Sequence, residues 1–276
     1  MRLLRISILL AFALAGCATQ SQQAAVSTPA VQARVVSDTI DVPVGSVIVD
    51  MSDFTDHGTL IVGNRMSGGT ATHVLDMTTR LTTGDSVGLP GRVLRIHSEQ
   101  DRVAGPFGPP GGKQIEDLTL DRQSLAVRAW HTHPAEGMGR TGYATFNGST
   151  VRGSLNMGGK EQQVAFDLSE PAFYGPGIDY VIEHLPMRAG AVYRLPVFRP
   201  GDRFIQRRLY HVVGTEAIDA LGVHHPNAWR VEELSPDGKQ QLSTLWIVHG
   251  TPSYLARWDY GTDPTSMLRL EQKLAP

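Results

Sequence analysis

Two histidines placed two residues apart, His131 and His133, carry the sharpest local chemistry in this chain of 276 residues. On a strand, residues i and i+2 point to the same face. Two imidazoles so placed can hold zinc once further protein ligands join them. The plainer reading is a strand end that carries two polar side chains. His224 and His225 would add ligands if the fold brought them near His131; by themselves they read as an exposed turn before Pro226. His184 follows Glu183 directly, and adjacent helical residues do not face each other, so no dyad forms. Glu116, Asp117 and Asp121 gather three carboxylates near one strand end. Paired carboxylates can cleave glycosides, but here a solvated turn accounts for them. Serines, aspartates and histidines suffice for a triad on paper, yet triads are recognised by geometry rather than by counts. Gly112-Lys113 falls short of a phosphate-binding loop, because Phe107 stands where the earlier glycine belongs and Gln114 where Ser or Thr belongs.

The remaining chemistry lies at the beginning of the chain. Cys17 is the sole cysteine. It follows a segment with Arg2 and Arg5, the apolar run Ile6 to Leu14, and the small pair Ala15-Gly16, which is the layout of a secretory signal. The run is well short of the roughly 20 residues that span a bilayer. Leu14-Ala15-Gly16-Cys17 resembles the lipobox of bacterial lipoproteins, which implies that Cys17 is lipidated (acylated, as by palmitate) and becomes the first mature residue. An unpaired thiol outside the cytoplasm invites wrong pairing, and lipidation consumes it. Ala18, where inner-membrane lipoproteins often carry Asp, points to the outer membrane, facing the periplasm.

The formal net charge is -2, with 25 Lys and Arg against 27 Asp and Glu, and no basic patch stands out, so nucleic acid is not an expected partner. The expected partners are the membrane through the anchor, an apolar envelope ligand, and an envelope protein. No disulfide is available, and a hydrophobic core must supply the stability. The 29 glycines and 17 prolines suit many short strands joined by turns.

Residues 18–34 lack aromatic residues and read as a flexible tether. Strand-like runs cover Ser46 to Met51, Thr59 to Gly63, Ala71 to Leu81 and Arg92 to His97. Val103 to Lys113 is a loop by composition. Ser124 to His133 is a strand with Leu125, Val127 and Ala129 on one face. Asn147-Gly148 suits a tight turn between Gly142 to Phe146 and Thr150 to Leu155. One segment has helical period: Ile178, Val181, Ile182 and Leu185 at i, i+3, i+4 and i+7, before Pro186. Strands follow over Ala191 to Phe198, Ile205 to Val213 and Asn227 to Leu234; Asp237-Gly238 then turns the chain into Leu242 to His249, and Tyr254 to Tyr260 closes the series. Residues after Gly261 read as a tail. If the strands keep register, Trp229, Trp246, Tyr254 and Trp258 make one aromatic face. That face is either core or the seat of an apolar ligand.

The succession Leu118-Thr119-Leu120-Asp121-Arg122, His184-Leu185-Pro186-Met187-Arg188-Ala189-Gly190, Val213-Gly214-Thr215-Glu216 as a turn, Ala228-Trp229-Arg230-Val231-Glu232, Leu245-Trp246-Ile247 and Tyr254-Leu255-Ala256-Arg257 resembles the exported bacterial proteins grouped as domain of unknown function 3108. The resemblance spans roughly residues 115–260. It implies an antiparallel β-rich fold with little helix, and it carries no activity. His131-Thr132-His133-Pro134 is similar to the metal motif of JAMM metalloproteases. Thr141 and Ala144 stand where that family has Ser and the Asp ligand, so the third ligand is missing.

The expected fold is all-β: a large curved antiparallel sheet or partly open barrel with one short helix. The expected organisation is a lipoprotein signal peptide over 1–16, the lipidated Cys17 and tether over 17–34, a smaller N-terminal β region over 35–110, a β-meander over 111–262 and a tail over 263–276. The expected function is non-catalytic: an outer-membrane lipoprotein that binds an apolar ligand or supports envelope assembly, with no cofactor. The rival is a metal-dependent hydrolase using zinc on His131 and His133.

Overall fold

Alternating apolar and polar segments pair mainly with their neighbours in sequence, and the pairing builds one long sheet. The computed structural model describes residues 38–46, 48–49, 56–67, 70–86, 89–103, 112–134, 140–157, 160–198, 204–260 and 267–274. The proposed signal peptide, Cys17 and the tether lie outside the described residues. The first nine strands are β1 (Thr39–Asp41), β2 (His57–Ser67), β3 (Thr70–Ser86), β4 (Leu89–Arg102), β5 (Gly112–Asp121), β6 (Val127–Pro134), β7 (Arg140–Asn147), β8 (Thr150–Met157) and β9 (Lys160–Asp167). A short β10 (Phe173–Tyr174) and a 3-10 turn at Gly175–Gly177 lead into helix α1 (Ile178–Glu183). The chain then runs through β11 (Val192–Phe198), β12 (Gln206–Ala220), β13 (Val223–Leu234), β14 (Gln241–Val248), β15 (Tyr254–Tyr260) and β16 (Met267–Leu274).

The strand order is β1-β11-β12-β13-β14-β15-β16-β2-β3-β4-β5-β6-β7-β8-β9, with β10 also on β11. All pairs are antiparallel except β1 and β10, which lie parallel along β11. The two ends of this path meet through side chains. Phe166 of β9 packs on Phe198 of β11 with ring centroids 5.7 Å apart. Tyr174 of β10 packs on Trp130 of β6 at 6.0 Å and on Phe146 of β7 at 5.7 Å. The sheet is therefore curved back on itself, as expected; among the described residues aromatic contacts rather than a hydrogen-bonded ladder link β6, β7 and β9 to β10 and β11.

Helix α1 fills the concave side. Its stripe Ile178, Val181, Ile182 and Leu185 is at most 2% exposed and belongs to the main core cluster. Burying such a side chain contributes about 1.5–3 kcal/mol, which holds a helix of fewer than two turns that could not persist alone. Two tight turns also follow expectation: Gly148 has φ 61° between β7 and β8, and Gly238 has φ 71° between β13 and β14.

Several expectations fail. The tail after residue 262 is instead β16, whose backbone lies between β15 and β2, from Arg257↔Leu270 on one side to Leu274↔Gly58 on the other. This strand joins β2–β4 to the rest of the sheet, so residues 35–110 form no separate subdomain among the described residues. Ser46, Ile48 and Val49 sit in turns rather than a strand. Val213-Gly214-Thr215-Glu216 is not a turn. It lies within β12, where register shifts bulge the strand between Val212 and Gly214 and between Glu216 and Ile218. Leu125 has φ 54° and stands before β6, and the register shift that follows it parts Val127 from Ala129.

Candidate interior pocket

The inner face of β2–β6 carries two adjacent rows of side chains in register. One row is apolar: Leu81, Ile96, Leu118 and Trp130 are cross-strand partners in succession. The next row is polar: Thr59, Thr79, Ser98, Glu116 and Thr132. A polar row inside a curved sheet must satisfy its hydrogen bonds within the protein or with a guest. Thr79 and Ser98 share one at 3.1 Å, and Gln114 Nε2 donates to Thr132 Oγ1 at 3.0 Å. Trp130 Nε1 donates to Glu116 Oε1 at 2.6 Å.

A cavity of about 170 Å³ opens between this wall and α1. Met77, Ile96, Leu118 and Pro176 give it an apolar side. Thr79, Ser98, Gln100, Glu116, Asp179 and Tyr180 give it a polar one. A smaller recess continues from Asp179 and Tyr180 to His57, Thr59 and Glu183. Asp179 and Glu183 stand four residues apart, on the polar side of α1, and both are buried. Glu183 is tied in place by the backbone N–H of Leu255, which donates to its Oε1 at 3.1 Å. Gly177 brings the start of α1 close to the wall: a Cβ there would stand 2.7 Å from Leu118 Cδ2.

Burial pushes the Glu116 carboxyl above its ordinary range. The Trp130 hydrogen bond and Arg102 act against that shift, and Asp179 and Asp117 add to it. Arg102 is itself held by Gln100, donating from Nη2 to Oε1 at 3.1 Å. The pocket thus offers hydrogen-bonding groups and a carboxyl group whose burial favours its protonated form, set beside an apolar surface. That equips it to hold a small molecule of mixed character.

The three carboxylates read together in sequence separate in space. Glu116 faces inward. Asp117 faces outward on the same strand, and Asp121 organises the turn before β6 through Ser124 and Arg128. His131 and His133 do share a face, with ring centroids 3.7 Å apart. That face is the outer one, where His97 Nδ1 donates to Asp117 Oδ1 at 2.7 Å and His133 Nε2 lies 3.5 Å from Asp117 Oδ2. Among the described residues no group of three or more His, Cys, Asp or Glu side chains is arranged to hold a metal ion.

His224 and His225 do not form an exposed turn. They lie in β13, where His225 is buried and 3.5 Å from the Tyr254 hydroxyl.

The four aromatic residues do not share a face. Trp229 pairs with Ile247 and Trp258 with Leu245, on the side of the main core. Trp246 pairs with Arg230 and Arg257 on the other side, in a second cluster with Ala228 and Tyr254. There the Arg257 guanidinium covers the Trp246 ring at 4.8 Å, and Trp246 Nε1 donates to Glu216. Across from the Trp246–Ile247 step, β15 carries an extra residue, Ala256, and this bulge puts Tyr254 and Trp258 on opposite faces.

Gly84-Asp85-Ser86-Val87-Gly88 matches the Gly-x-Ser-x-Gly pattern of hydrolases. Such a serine acts from a strand-to-helix elbow. Here β3 ends at Ser86 and β4 begins at Leu89, so the context is a strand hairpin.

The pocket residues left a signal in the sequence. Glu116 shares the period-two face of Leu118 and Leu120, and Asp179 and Glu183 interrupt a helix that is otherwise a core element. An acid on an apolar face is the mark of an interior polar site.

The model of the family described as "Protein of unknown function (DUF3108)" matches residues 119–264. That stretch includes α1, while most of the β2–β5 wall precedes it. Among solved structures, the beta-barrel-like protein of domain of unknown function DUF1849 from Brucella abortus is similar at 10% identity and a TM-score of 0.47, covering 80% of this chain and 98% of that one. No curated protein matches the chain.

Proposed function

This chain belongs to the DUF3108 family, and from that premise we propose that it is a lipid-anchored binding protein of the bacterial envelope, seating a small amphipathic ligand between its curved sheet and α1. The cavity beside Glu116 carries this reading, because it sets apolar side chains next to a row of polar ones in one recess. The seat differs from the aromatic face that alternation suggested: the ligand's apolar part rests on Ile96, Leu118 and Met77, and its polar part meets Ser98, Gln100 and Glu116. The N-terminal pattern supports the anchor. Cys17 holds the protein on the outer membrane, facing the periplasm, and residues 18–34 set the β domain off the surface. Several acyl chains on one cysteine, at about 0.8 kcal/mol per buried methylene, suffice for stable anchoring.

Two measurements test the two halves. In a bacterial host, Cys17→Ser is expected to move the protein from the outer-membrane fraction to the soluble periplasm; retention in the membrane defeats the anchor. Native mass spectrometry of the detergent-extracted full chain is expected to find a co-purified small molecule that Ser98→Phe, which fills the cavity, removes. A molecule retained by that variant places binding elsewhere.

A further inference from the structure

The charged side chains lining the cavity are both carboxylates, Glu116 from β5 and Asp179 from the first turn of α1. Two carboxyl groups facing one recess repel when both are ionised, and a cation between them relieves that repulsion. Asp179 is 7% exposed. Arg102, which acts on Glu116 electrostatically, is not part of the lining; its guanidinium donates to Gln100, which is. The cavity volume of about 170 Å³ is close to the roughly 150 Å³ that accommodates one six-membered ring. Beside the acids, Met77, Ile96, Leu118 and Pro176 provide apolar surface on which a ring or short alkyl body can lie.

We propose that the pocket is selective for a small protonated amine, its ammonium group between Glu116 and Asp179 and its apolar body on Ile96, Leu118 and Met77. This rests on the cavity being the binding site proposed above. One ammonium offers three donors, so it can serve both carboxylates and still reach Ser98 or Gln100. Trp130, by holding Glu116 Oε1, fixes the carboxylate for that contact. Asp179 contributes its charge here and keeps its own protein contacts. A cation in that place favours the ionised form of Glu116, against the burial that favours the protonated one. A neutral hydroxyl in the same place brings no such stabilisation.

The test is calorimetric titration of the full chain in detergent with three probes that share one ring: benzylamine, benzyl alcohol and benzoate. Benzylamine is expected to bind at least tenfold more tightly than benzyl alcohol, with benzoate silent. Glu116→Gln keeps the volume and the Trp130 acceptor. It is expected to abolish the preference while benzyl alcohol still binds; if that variant fails to fold, Asp179→Asn serves in its place. Benzyl alcohol or benzoate binding as tightly as benzylamine overturns amine selectivity and leaves the pocket standing. An undiminished amine preference in a folded variant also overturns it. Silence of all three probes on cooperatively folded protein overturns the pocket and the amine together.

Discussion

Replacing Trp130 by Phe removes the one indole donor that holds Glu116 while keeping an aromatic ring in the core. Hydrogen bonds to charged groups contribute about 1.5–3 kcal/mol and neutral ones about 0.5–1.5 kcal/mol, so the loss must depend on the state of Glu116. Burial raises the folded-state pKa of this carboxyl. Its favourable contribution is therefore fully present below the unfolded-state pKa and is lost as pH rises through the folded-state one. The indole works against that trend by stabilising the ionised form, and W130F should lose most at high pH. The ring is also smaller, which adds a loss that does not depend on pH. A double-mutant cycle with Glu116→Met, which keeps length and removes the acceptor, separates the two. The expected coupling is about 2 kcal/mol at the alkaline end of the carboxyl's titration, where Glu116 is ionised, falling by roughly half at the acid end. For a domain of this size, about 2 kcal/mol corresponds to roughly 4–8 °C in Tm. The assay is thermal unfolding of the full chain and the three variants at both pH values. A coupling within about 0.5 kcal/mol of zero at both, or equal at both, refutes the placement of Glu116 as a buried, titrating acceptor.

Ile182→Ala, at the centre of the α1 stripe, is expected to cost about 2–5 kcal/mol in thermal unfolding, while Leu242→Ala, 38% exposed, stays within about 0.5 kcal/mol. At Gly153 a Cβ would stand 2.0 Å from the Tyr143 carbonyl oxygen on the neighbouring strand, so Gly153→Ala must push β7 and β8 apart and lose at least about 3 kcal/mol; an unchanged Tm contradicts the β7–β8 register. On the outer face, Asp117 and Glu99 hold His97 in its protonated form to higher pH than usual, whereas burial and His133 draw His131 down. A proton NMR titration from acid to base should see His131 deprotonate before His97, with the reverse order contradicting the geometry. The stability that His97 adds is present at low pH and fades as pH rises through its folded-state pKa, and it is small because the side chain is 45% exposed.

What was legible in the sequence was local. The stripe of α1 declares itself within eight residues, Asn147-Gly148 and Asp237-Gly238 declare their turns, and alternation marks most strands. What escaped depends on partners distant in sequence. Met267–Leu274 shows its nature only beside β2, some two hundred residues earlier. Register alone turns Trp246 away from Trp229 and Trp258, and the extra residue Ala256 in β15 turns Tyr254 away from Trp258; strict alternation has no term for a bulge. Glu116 looked like part of a solvated acidic turn because Asp117 and Asp121, its neighbours, are outward or in a turn. Only the row Thr59, Thr79, Ser98, Glu116 and Thr132, assembled from five strands, reveals that it faces inward.

The central claim is that the space between the β3–β5 wall and α1 is a ligand seat. Met77 reports on it directly, because its side chain lines the cavity, whereas Met187 packs against the core elsewhere. With methionine methyl groups labelled and Met77 assigned through Met77→Leu, titration of the full chain with benzylamine should move the Met77 resonance saturably and leave Met187 in place. Ser98→Phe should abolish the movement. A Met77 resonance that does not respond while benzylamine binds, or one that responds equally in Ser98→Phe, contradicts the account.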